Sequence, residues 1–381
     1  MTQGPLTGVR VLDFSTLLPG PLATLLLAEA GAEVIKIERP GRGDEMRGYS
    51  PRLGTDSVNF ALLNRGKRSI AIDLKDKSAV ERLTPMIQSA DIVVEQFRPG
   101  VMDRLGLGYE ALAKLNPRII YCAITGYGQH GPRANVAAHD LNYIAETGLL
   151  TLSAGSDGAP ILPPALIADI GGGTYPAVIN ILLALRERDR TGKGCKLDVA
   201  MADNLFTFMY WALGNGLADG NWPQPGGELV TGGSPRFNIY RTKDDRFVAA
   251  APLEQKFWDT FCDLIGLAPE LRDDRIDTSA THRAVAQKIA AKSGAEWQAL
   301  FDGKEICCCV ATSLEDAISD PHFVARGVFG GKLAAADREI HALPVPIAPQ
   351  FRAQSQTAGY PALGEGNAEL LSARSTAETR K

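Results

Sequence analysis

The stretch 9–37, VRVLDFSTLLPGPLATLLLAEAGAEVIKI, decides the fold of this chain. Its first six residues are mostly apolar, as in a strand buried on both faces, and VIKI at its end predicts a second such strand. Residues 21–30 between them predict a helix, because Pro21 suits a first helical turn and Gly31 follows the last apolar residue. A strand, a helix and a strand in this order predict a parallel sheet with a right-handed crossover.

The same alternation continues along the chain. Further strands are predicted at 68–74, 91–95, 118–124 and 196–200, and further helices at 78–89, 109–115 and 176–186. We therefore predict an α/β fold with a large, doubly wound, Rossmann-like domain around a parallel sheet, and a smaller α+β domain after it. The predicted bounds are 1–213 for the large domain, 214–233 for a Gly/Pro-rich linker, 234–325 for the small domain, and 326–381 for a C-terminal segment that returns to the large domain.

Composition and charge exclude several classes of protein. Lys and Arg total 40 and Asp and Glu total 44, so the net charge is −4 and nucleic acid is not the expected partner. Residues 1–8 lack the regions of a signal peptide, no apolar run reaches a membrane span, and the six cysteines lack disulfide spacing. We expect a cytoplasmic protein without a membrane segment. The five histidines show no metal-ligand spacing, so we expect no metal site.

Two short segments carry ionisable side chains beside residues that can begin a helix. They are Ala138-His139-Asp140-Leu141-Asn142-Tyr143 and Ala168-Asp169-Ile170-Gly171-Gly172-Gly173. His139 and Asp169 are weak bases of different ordinary pKa. Two such groups facing one carbon can remove a proton from one side and return one to the other. Either residue alone is more often structural than catalytic, so the hypothesis rests on the pair.

Basic residues lie near the ends of several predicted strands. Arg39 follows the second strand, Lys75 ends the third, Arg98 follows the fourth, and residues 64–69, NRGKRS, precede the third. The C-terminal edge of a parallel sheet is the usual ligand crevice, and Arg and Lys there suit a ligand with several phosphates. Each of these residues alone is equally well explained as a solvated charge. No dinucleotide fingerprint, Walker A loop or G-x-S-x-G elbow is present.

The chain resembles the family III CoA-transferases and, within them, the alpha-methylacyl-CoA racemases. The resemblance covers roughly residues 5–330. It rests on Leu18-Pro19-Gly20-Pro21, Glu38-Arg39-Pro40-Gly41, Arg65-Gly66-Lys67-Arg68-Ser69, Phe97-Arg98-Pro99-Gly100-Val101, Ile124-Thr125-Gly126-Tyr127-Gly128-Gln129, His139-Asp140-Leu141-Asn142-Tyr143, Asp169-Ile170-Gly171-Gly172-Gly173, Arg190-Thr191-Gly192-Lys193-Gly194, Gly232-Gly233-Ser234-Pro235 and Tyr240-Arg241-Thr242.

The resemblance implies an interlocked homodimer of ring-like chains whose substrate is an acyl-CoA thioester, with no other cofactor. It implies that Asp169 is the shared carboxylate and that His139 is the second acid/base of the racemases. It further implies an active site between the large domain of one subunit and the small domain of the other, in which Glu254 of the small domain hydrogen-bonds and orients His139. Glu254 as a helix-start carboxylate is the structural alternative. The CoA-binding residues that it implies, together with those predicted from strand ends, are Arg39, Ile72, Asp73, Leu74, Lys75, Arg98, Ala138, Asn142 and Tyr143.

The predicted reaction is racemisation of a 2-methyl-branched acyl-CoA through an enolate. We expect Asp140 to be the N-cap of a helix whose first N–H groups stabilise the enolate oxygen, and burial to raise the pKa of Asp169. Ala138 stands where the racemases usually have Gly, which bears on substrate preference. One alternative is a CoA-transferase in which Asp169 forms a covalent intermediate. A second is a non-catalytic CoA-thioester binding protein.

Overall fold

The computed structural model describes residues 4–155, 157–335, 338–353 and 357–371. Contacts divide it into two compact units. The first unit consists of the described parts of Met1–Thr147, Ala165–Leu205 and Pro321–Lys381, and the second of Gly148–Pro164 and Phe206–Asp320.

Fourteen strands are present in the described residues. They are β1 (Arg10–Asp13), β2 (Glu33–Glu38), β3 (Arg52–Leu53), β4 (Asp56–Ser57), β5 (Arg68–Ala71), β6 (Ile92–Glu95), β7 (Ile120–Thr125), β8 (Cys195–Ala200), β9 (Asn238–Arg241), β10 (Phe247–Ala250), β11 (Cys308–Val310), β12 (Lys332–Ala335), β13 (Arg338–His341) and β14 (Thr357–Ala358).

The α-helices of the described residues are α1 (Pro19–Glu29), α2 (Val58–Asn64), α3 (Ala79–Ser89), α4 (Val101–Arg104), α5 (Tyr109–Leu115), α6 (Asp140–Glu146), α7 (Tyr175–Thr191), α8 (Met201–Asn204), α9 (Tyr210–Asp219), α10 (Gln255–Ile265), α11 (Thr278–Ala290), α12 (Gly294–Phe301), α13 (Leu314–Ser319), α14 (Pro321–Ala325) and α15 (Asn367–Leu370). A π-helical turn, Ala168–Thr174, precedes α7, and 3₁₀ turns occupy Glu45–Gly48, Leu149–Leu152, Leu205–Met209, Pro269–Leu271 and Pro349–Phe351.

The first unit is built on a six-stranded parallel sheet of order β5-β2-β1-β6-β7-β8. Its central strands are apolar because helices cover them. Leu12 of β1 pairs with Ile35 of β2 and with Val93 of β6, and all three side chains are inaccessible to solvent. The predicted α/β fold with a large parallel sheet is therefore confirmed, beginning with the β1-α1-β2 unit at 9–37.

The second unit contains a three-stranded antiparallel sheet of order β11-β10-β9. Its core consists of aromatic side chains from α10 and α12, above all Trp258, Phe261 and Trp297, which lie with Val248 of β10. The hairpin of β9 and β10 lies where alternating residues around Lys243-Asp244-Asp245 predict it.

The predicted linker, 214–233, differs from the structure at its start. Helix α9 continues to Asp219, and the contact division lies between Leu205 and Phe206 instead of after residue 213. Glycine is a poor helix former, which is why the sequence favours a loop here. At Gly216, however, the glycine reflects a close contact inside the helix and not a loop, because a Cβ added there would lie only 2.3 Å from the ring of Trp222.

The chain beyond residue 320 belongs to the first unit in its described parts. Its last helix, α15, lies against the edge strand β5. The side chain of Asn367 accepts the Ala71 N–H at 2.8 Å and donates to the Ala71 carbonyl at 3.1 Å, and the Gly366 N–H donates to the Ser69 carbonyl at 2.9 Å. The side-chain and backbone contacts of this helix therefore cover one open edge of the parallel sheet.

Helical residues Ala168–Thr191 are long and apolar enough to cross a bilayer by length and composition alone, a measure that buried core helices also meet. In this protein the α7 part packs on β7, β8 and α1. The sequence prediction of no membrane segment stays a prediction.

Candidate active site

A cavity of about 360 Å³ lies at the C-terminal ends of β6, β7 and β8 in the first unit. The turn between β1 and α1 contributes Leu17, α1 contributes its first residue, Pro19, and the turn after β6 contributes residues 96–99. The remaining lining residues are Ile124, Thr125, Gly126, Tyr127, Ala134, Val136, Ala137, Ala138, His139, Asn142, Tyr143, Asp169 and Met201. His139 and Asp169 therefore line one cavity, at the sheet edge where parallel α/β proteins bind ligands.

Asp169 projects from the π-helical turn that precedes α7. This turn packs tightly on α8, since a Cβ added at Gly172 would lie 2.3 Å from the Met201 carbonyl oxygen. The Asp169 N–H donates to Asp140 Oδ1 at 3.0 Å. Burial raises the pKa of Asp169 from 3.8 to about 6, the negative charge of Asp140 acts in the same direction, and His139 opposes both. The raised pKa agrees with the expectation from the sequence.

His139 is the N-cap of helix α6, and Asp140 is its first helical residue. The expectation that Asp140 is the N-cap is therefore wrong by one position. The reason is that the Asn142 side chain accepts the His139 N–H at 3.0 Å and the His139 carbonyl accepts the Asn142 N–H at 2.8 Å, which closes the first turn around His139. The His139 residue is exposed, whereas Asp140 is buried.

Among the described residues, no acceptor is present for the backbone N–H groups of Asp140 and Leu141 at the start of α6, as is usual for a first helical turn. The carboxylate of Asp140, by contrast, is engaged with Asp169. The side chain of Asp140 therefore holds the turn that carries Asp169, while its backbone N–H remains available to a ligand.

Tyr143 holds the segment before α6 in place. Its hydroxyl donates to the Ala138 carbonyl at 2.9 Å. Its ring packs against Gly126, since a Cβ added at Gly126 would lie only 2.5 Å from the ring. Tyr127 packs edge to face on it, with ring centroids 5.2 Å apart. Burial, followed by the charge of Asp169, raises the pKa of Tyr143 to about 12, so this hydroxyl stays protonated and donating.

The predicted CoA-binding residues fall into two groups. The first group lines the active-site cavity and consists of Arg98, Ala138, Asn142 and Tyr143. The exposed Arg98 is a cation in this cavity.

The second group lies farther along the same sheet edge, after β2 and β5. Arg39 lines a separate cavity of about 490 Å³ and donates to the Gly43 carbonyl at 3.1 Å. Lys75 is exposed and its N–H donates to Asp73 Oδ1 at 2.9 Å, whereas Leu74 is partly buried. Ile72 is 2% exposed in the core, so only its backbone can contact a ligand.

The basic run 64–69 is structural and does not line the ligand crevice. Lys67 is fully buried and donates to Asp13 Oδ2, Thr24 Oγ1, Asn64 Oδ1 and the Pro21 carbonyl at 2.7–3.1 Å. Burial alone would raise the pKa of Asp13, but the positive charges of Lys67 and Lys36 outweigh this effect and lower the pKa to about 2. The sequence does not predict this cluster, because a lysine just before a strand gives no sign of the acceptors around it.

Glu254 is the N-cap of α10 in the second unit, and its side chain is exposed. Its carbonyl accepts the N–H groups of Phe257 and Trp258, both at 3.0 Å, while its carboxylate makes no capping hydrogen bond. The hydrogen bond from Glu254 to His139 stays a prediction.

Fold and site together define an α/β enzyme with a histidine and a carboxylate in one cavity. The chain belongs to CoA-transferase family III, whose family model matches residues 6–367. It is 35% identical over 375 residues to the alpha-methylacyl-CoA racemase of Mus musculus, covering 96% of this chain and 92% of that protein.

Relatives with a different activity are equally similar. The acetyl-CoA:oxalate CoA-transferase of Acetobacter aceti is 36% identical over 336 residues, covering 86% of this chain and 85% of the relative. Among solved structures, a CaiB/BaiF family protein from Brucella suis superposes with a TM-score of 0.82 at 28% identity, covering 97% of this chain and all of that one (100%). The family is thus shown, and its members include both racemases and CoA-transferases.

Proposed function

We propose that this protein is a racemase or epimerase of 2-methyl-branched acyl-CoA thioesters that works by two-base proton transfer. The observation that carries the proposal is that His139 and Asp169 line one cavity and that the pKa of Asp169 is raised to about 6. A carboxyl group whose pKa is raised holds its proton closer to neutral pH than an ordinary aspartate does, so Asp169 can serve as the acid in one direction and as the base in the other, which a racemase requires.

In one direction, His139 takes the α-proton of the thioester, and the electron pair of the C–H bond moves into an enolate. The negative charge develops on the thioester oxygen, where we assign the backbone N–H of Asp140 as the donor. Protonated Asp169 then delivers its proton to the opposite face of the α-carbon. The reverse direction uses ionised Asp169 as the base and protonated His139 as the acid.

The pair of bases is active when it carries one proton in total. The rate should therefore follow a bell-shaped pH profile that is the same for both enantiomers. On the acid side both groups are protonated and no base is left. Because the pKa of Asp169 is about 6, the rate should fall as the pH drops below about 6, well above the range of an ordinary aspartate.

The decisive experiment incubates each enantiomer of a 2-methylacyl-CoA with the protein in D₂O without an acceptor acid. We expect α-deuteration and loss of optical purity from both enantiomers. The variant Asp169→Asn should still exchange the α-proton of the enantiomer whose α-proton faces His139, and it should do so without inversion. The rate of exchange for the other enantiomer should fall by ~10²–10⁴-fold. His139→Gln is the matched control and should show the opposite enantiomer preference.

A family III CoA-transferase reaction is the second candidate, favoured by the similarity to the Acetobacter aceti enzyme. In that reaction Asp169 attacks the thioester carbonyl, forms an acyl anhydride and releases the CoA thiolate. Absence of deuterium exchange, together with CoA transfer to added succinate that Asp169→Asn abolishes, would replace the racemase proposal by this one. We also propose a homodimer and a cytoplasmic location.

A further inference from the structure

Thr125 is a cavity residue without a role in the proposed reaction. It ends β7, lines the cavity and is 7% exposed. Its hydroxyl oxygen is buried and has no hydrogen-bond partner in the part of the chain that the structure describes. A buried hydroxyl without a partner is unfavourable, and nearly all such groups in native proteins are satisfied. The position of Thr125 in a ligand cavity suggests that a ligand supplies the missing partner.

Gln96 offers a second polar group beside Thr125. It follows β6, the neighbour of β7 in the sheet, and lines the same cavity. Its Oε1 accepts the Gly20 N–H at 3.1 Å. Because the Gly20 N–H requires an acceptor, this contact fixes the orientation of the amide. The Nε2 donors, which make no hydrogen bond to the described residues, are left for the cavity.

The order of strands places these two residues on the path of the CoA arm. The predicted CoA-binding residues 72–75 follow β5, whereas the reacting groups lie around β7. Four strand spacings separate β5 from β7, or roughly 19 Å at ~4.8 Å each. The pantetheine arm must cross this distance, and its end near the sulfur then lies over β6 and β7. That end carries an amide, whose carbonyl oxygen accepts hydrogen bonds.

We propose that Thr125 and Gln96 form a hydrogen-bonding subsite for a neutral amide or carbonyl group beside the reacting thioester, supplied by the pantetheine arm. The inference rests on the proposed function only in that the ligand is a CoA thioester. Both side chains are neutral, so they suit a neutral group and would not offset the burial of a charge. The subsite would hold the thioester in register with His139 and Asp169.

The test uses calorimetry to measure the binding of two unreactive thioethers, S-propyl-CoA and S-(2-oxopropyl)-CoA. Only the second has a carbonyl on the acyl side of the sulfur. Thr125→Val replaces the hydroxyl with a methyl group of the same shape. We expect its Kd for both probes to rise about three- to tenfold, while its melting temperature stays equal or increases by up to about 3 °C. Thr125→Ser, which keeps the hydroxyl, should bind within about twofold of the wild type.

Gln96→Glu provides independent evidence, since it keeps the acceptor for Gly20 and removes the donors. It should weaken both probes as well. A loss confined to the oxo probe would retain the subsite and assign it to the acyl chain. Unchanged Kd values in Thr125→Val would refute the subsite and would indicate that a water satisfies the hydroxyl. Weaker binding together with a lower melting temperature would also refute it. If the wild type binds neither probe, the proposed CoA-thioester function itself is wrong.

Discussion

The carboxylate of Asp140 links backbone structure to acid–base chemistry, because it accepts the N–H of Asp169 and adds to the raised pKa of that residue. Asp140→Asn keeps an oxygen for the hydrogen bond and removes the charge. The pKa of Asp169 should fall, and the acid limb of the bell-shaped rate profile should move to lower pH. Burial, the larger cause, remains, so the shift should be partial.

The measurement is the pH dependence of kcat/KM with both enantiomers. Asp140→Ala is the control, because it loses the hydrogen bond as well and should reduce the rate at every pH. An acid limb that stays in place in Asp140→Asn would show that Asp140 has no electrostatic part in the reaction.

Among the secondary-structure elements, the π-helical turn that carries Asp169 packs closely against the backbone of α8. A Cβ at Gly172 would approach the backbone of Met201 to 2.3 Å, and backbone gives way less easily than a side chain. Gly172→Ala should therefore displace Asp169, lower kcat by ~10²-fold and destabilise the fold by ~1–3 kcal/mol. Racemase kinetics and urea unfolding measure the two effects.

Gly214→Ala is a matched control in a helix, since nothing lies within 4 Å of the added Cβ. It should leave kcat unchanged and stabilise by ~0.5–1 kcal/mol. Equal activities of the two variants would contradict the role that we give to the turn.

The sheet, and the two ionisable residues His139 and Asp169 that line one cavity, could be predicted from the sequence because each rests on a local pattern. Buried parallel strands are apolar throughout, and His139 lies directly before a helix start. The bond from Lys67 to Asp13 and the bond from Asp169 to Asp140 each join residues far apart in the chain, so no sequence spacing indicates them. The hydroxyl of Thr125, which has no hydrogen-bond partner among the described residues, could not be predicted for the same reason, since the lack of a partner depends on residues far away in the chain.

For the molecule as a whole, the buried cluster of Lys67 and its hydrogen-bond partners joins β1, α1 and α2. Lys67→Met leaves the buried Asp13 without its closest cation and should destabilise the protein by ~3–5 kcal/mol in urea unfolding. The double variant Lys67→Met with Asp13→Asn removes the uncompensated charge and should recover part of that loss. A single variant as stable as the wild type would show that the cluster contributes nothing.

The predicted homodimer has a test in mixed assemblies. If Glu254 of one chain hydrogen-bonds His139 of the other, a dimer of one Glu254→Gln chain and one Asp169→Asn chain has one intact site out of two. Half of the dimers formed on co-expression are mixed in this way, so roughly a quarter of the wild-type activity should be recovered. Co-expressed His139→Gln and Asp169→Asn chains should recover none, since both residues belong to one cavity. Equal recovery in the two mixtures would contradict the shared site.

The π-helical turn also bears on how this activity arises and disappears in evolution. A π-helical turn is equivalent to one residue inserted into an α-helix, and each α-helical residue advances the chain by ~100°. Loss of one codon among the three glycines 171–173 would restore an uninterrupted helix from Ala168 to Thr191 and rotate Asp169 away from the cavity. The strands of the parallel sheet would not be changed by this deletion. If the proposed two-base reaction is correct, a single in-frame deletion is enough to abolish racemisation, and duplication of one codon at the same place is enough to restore it.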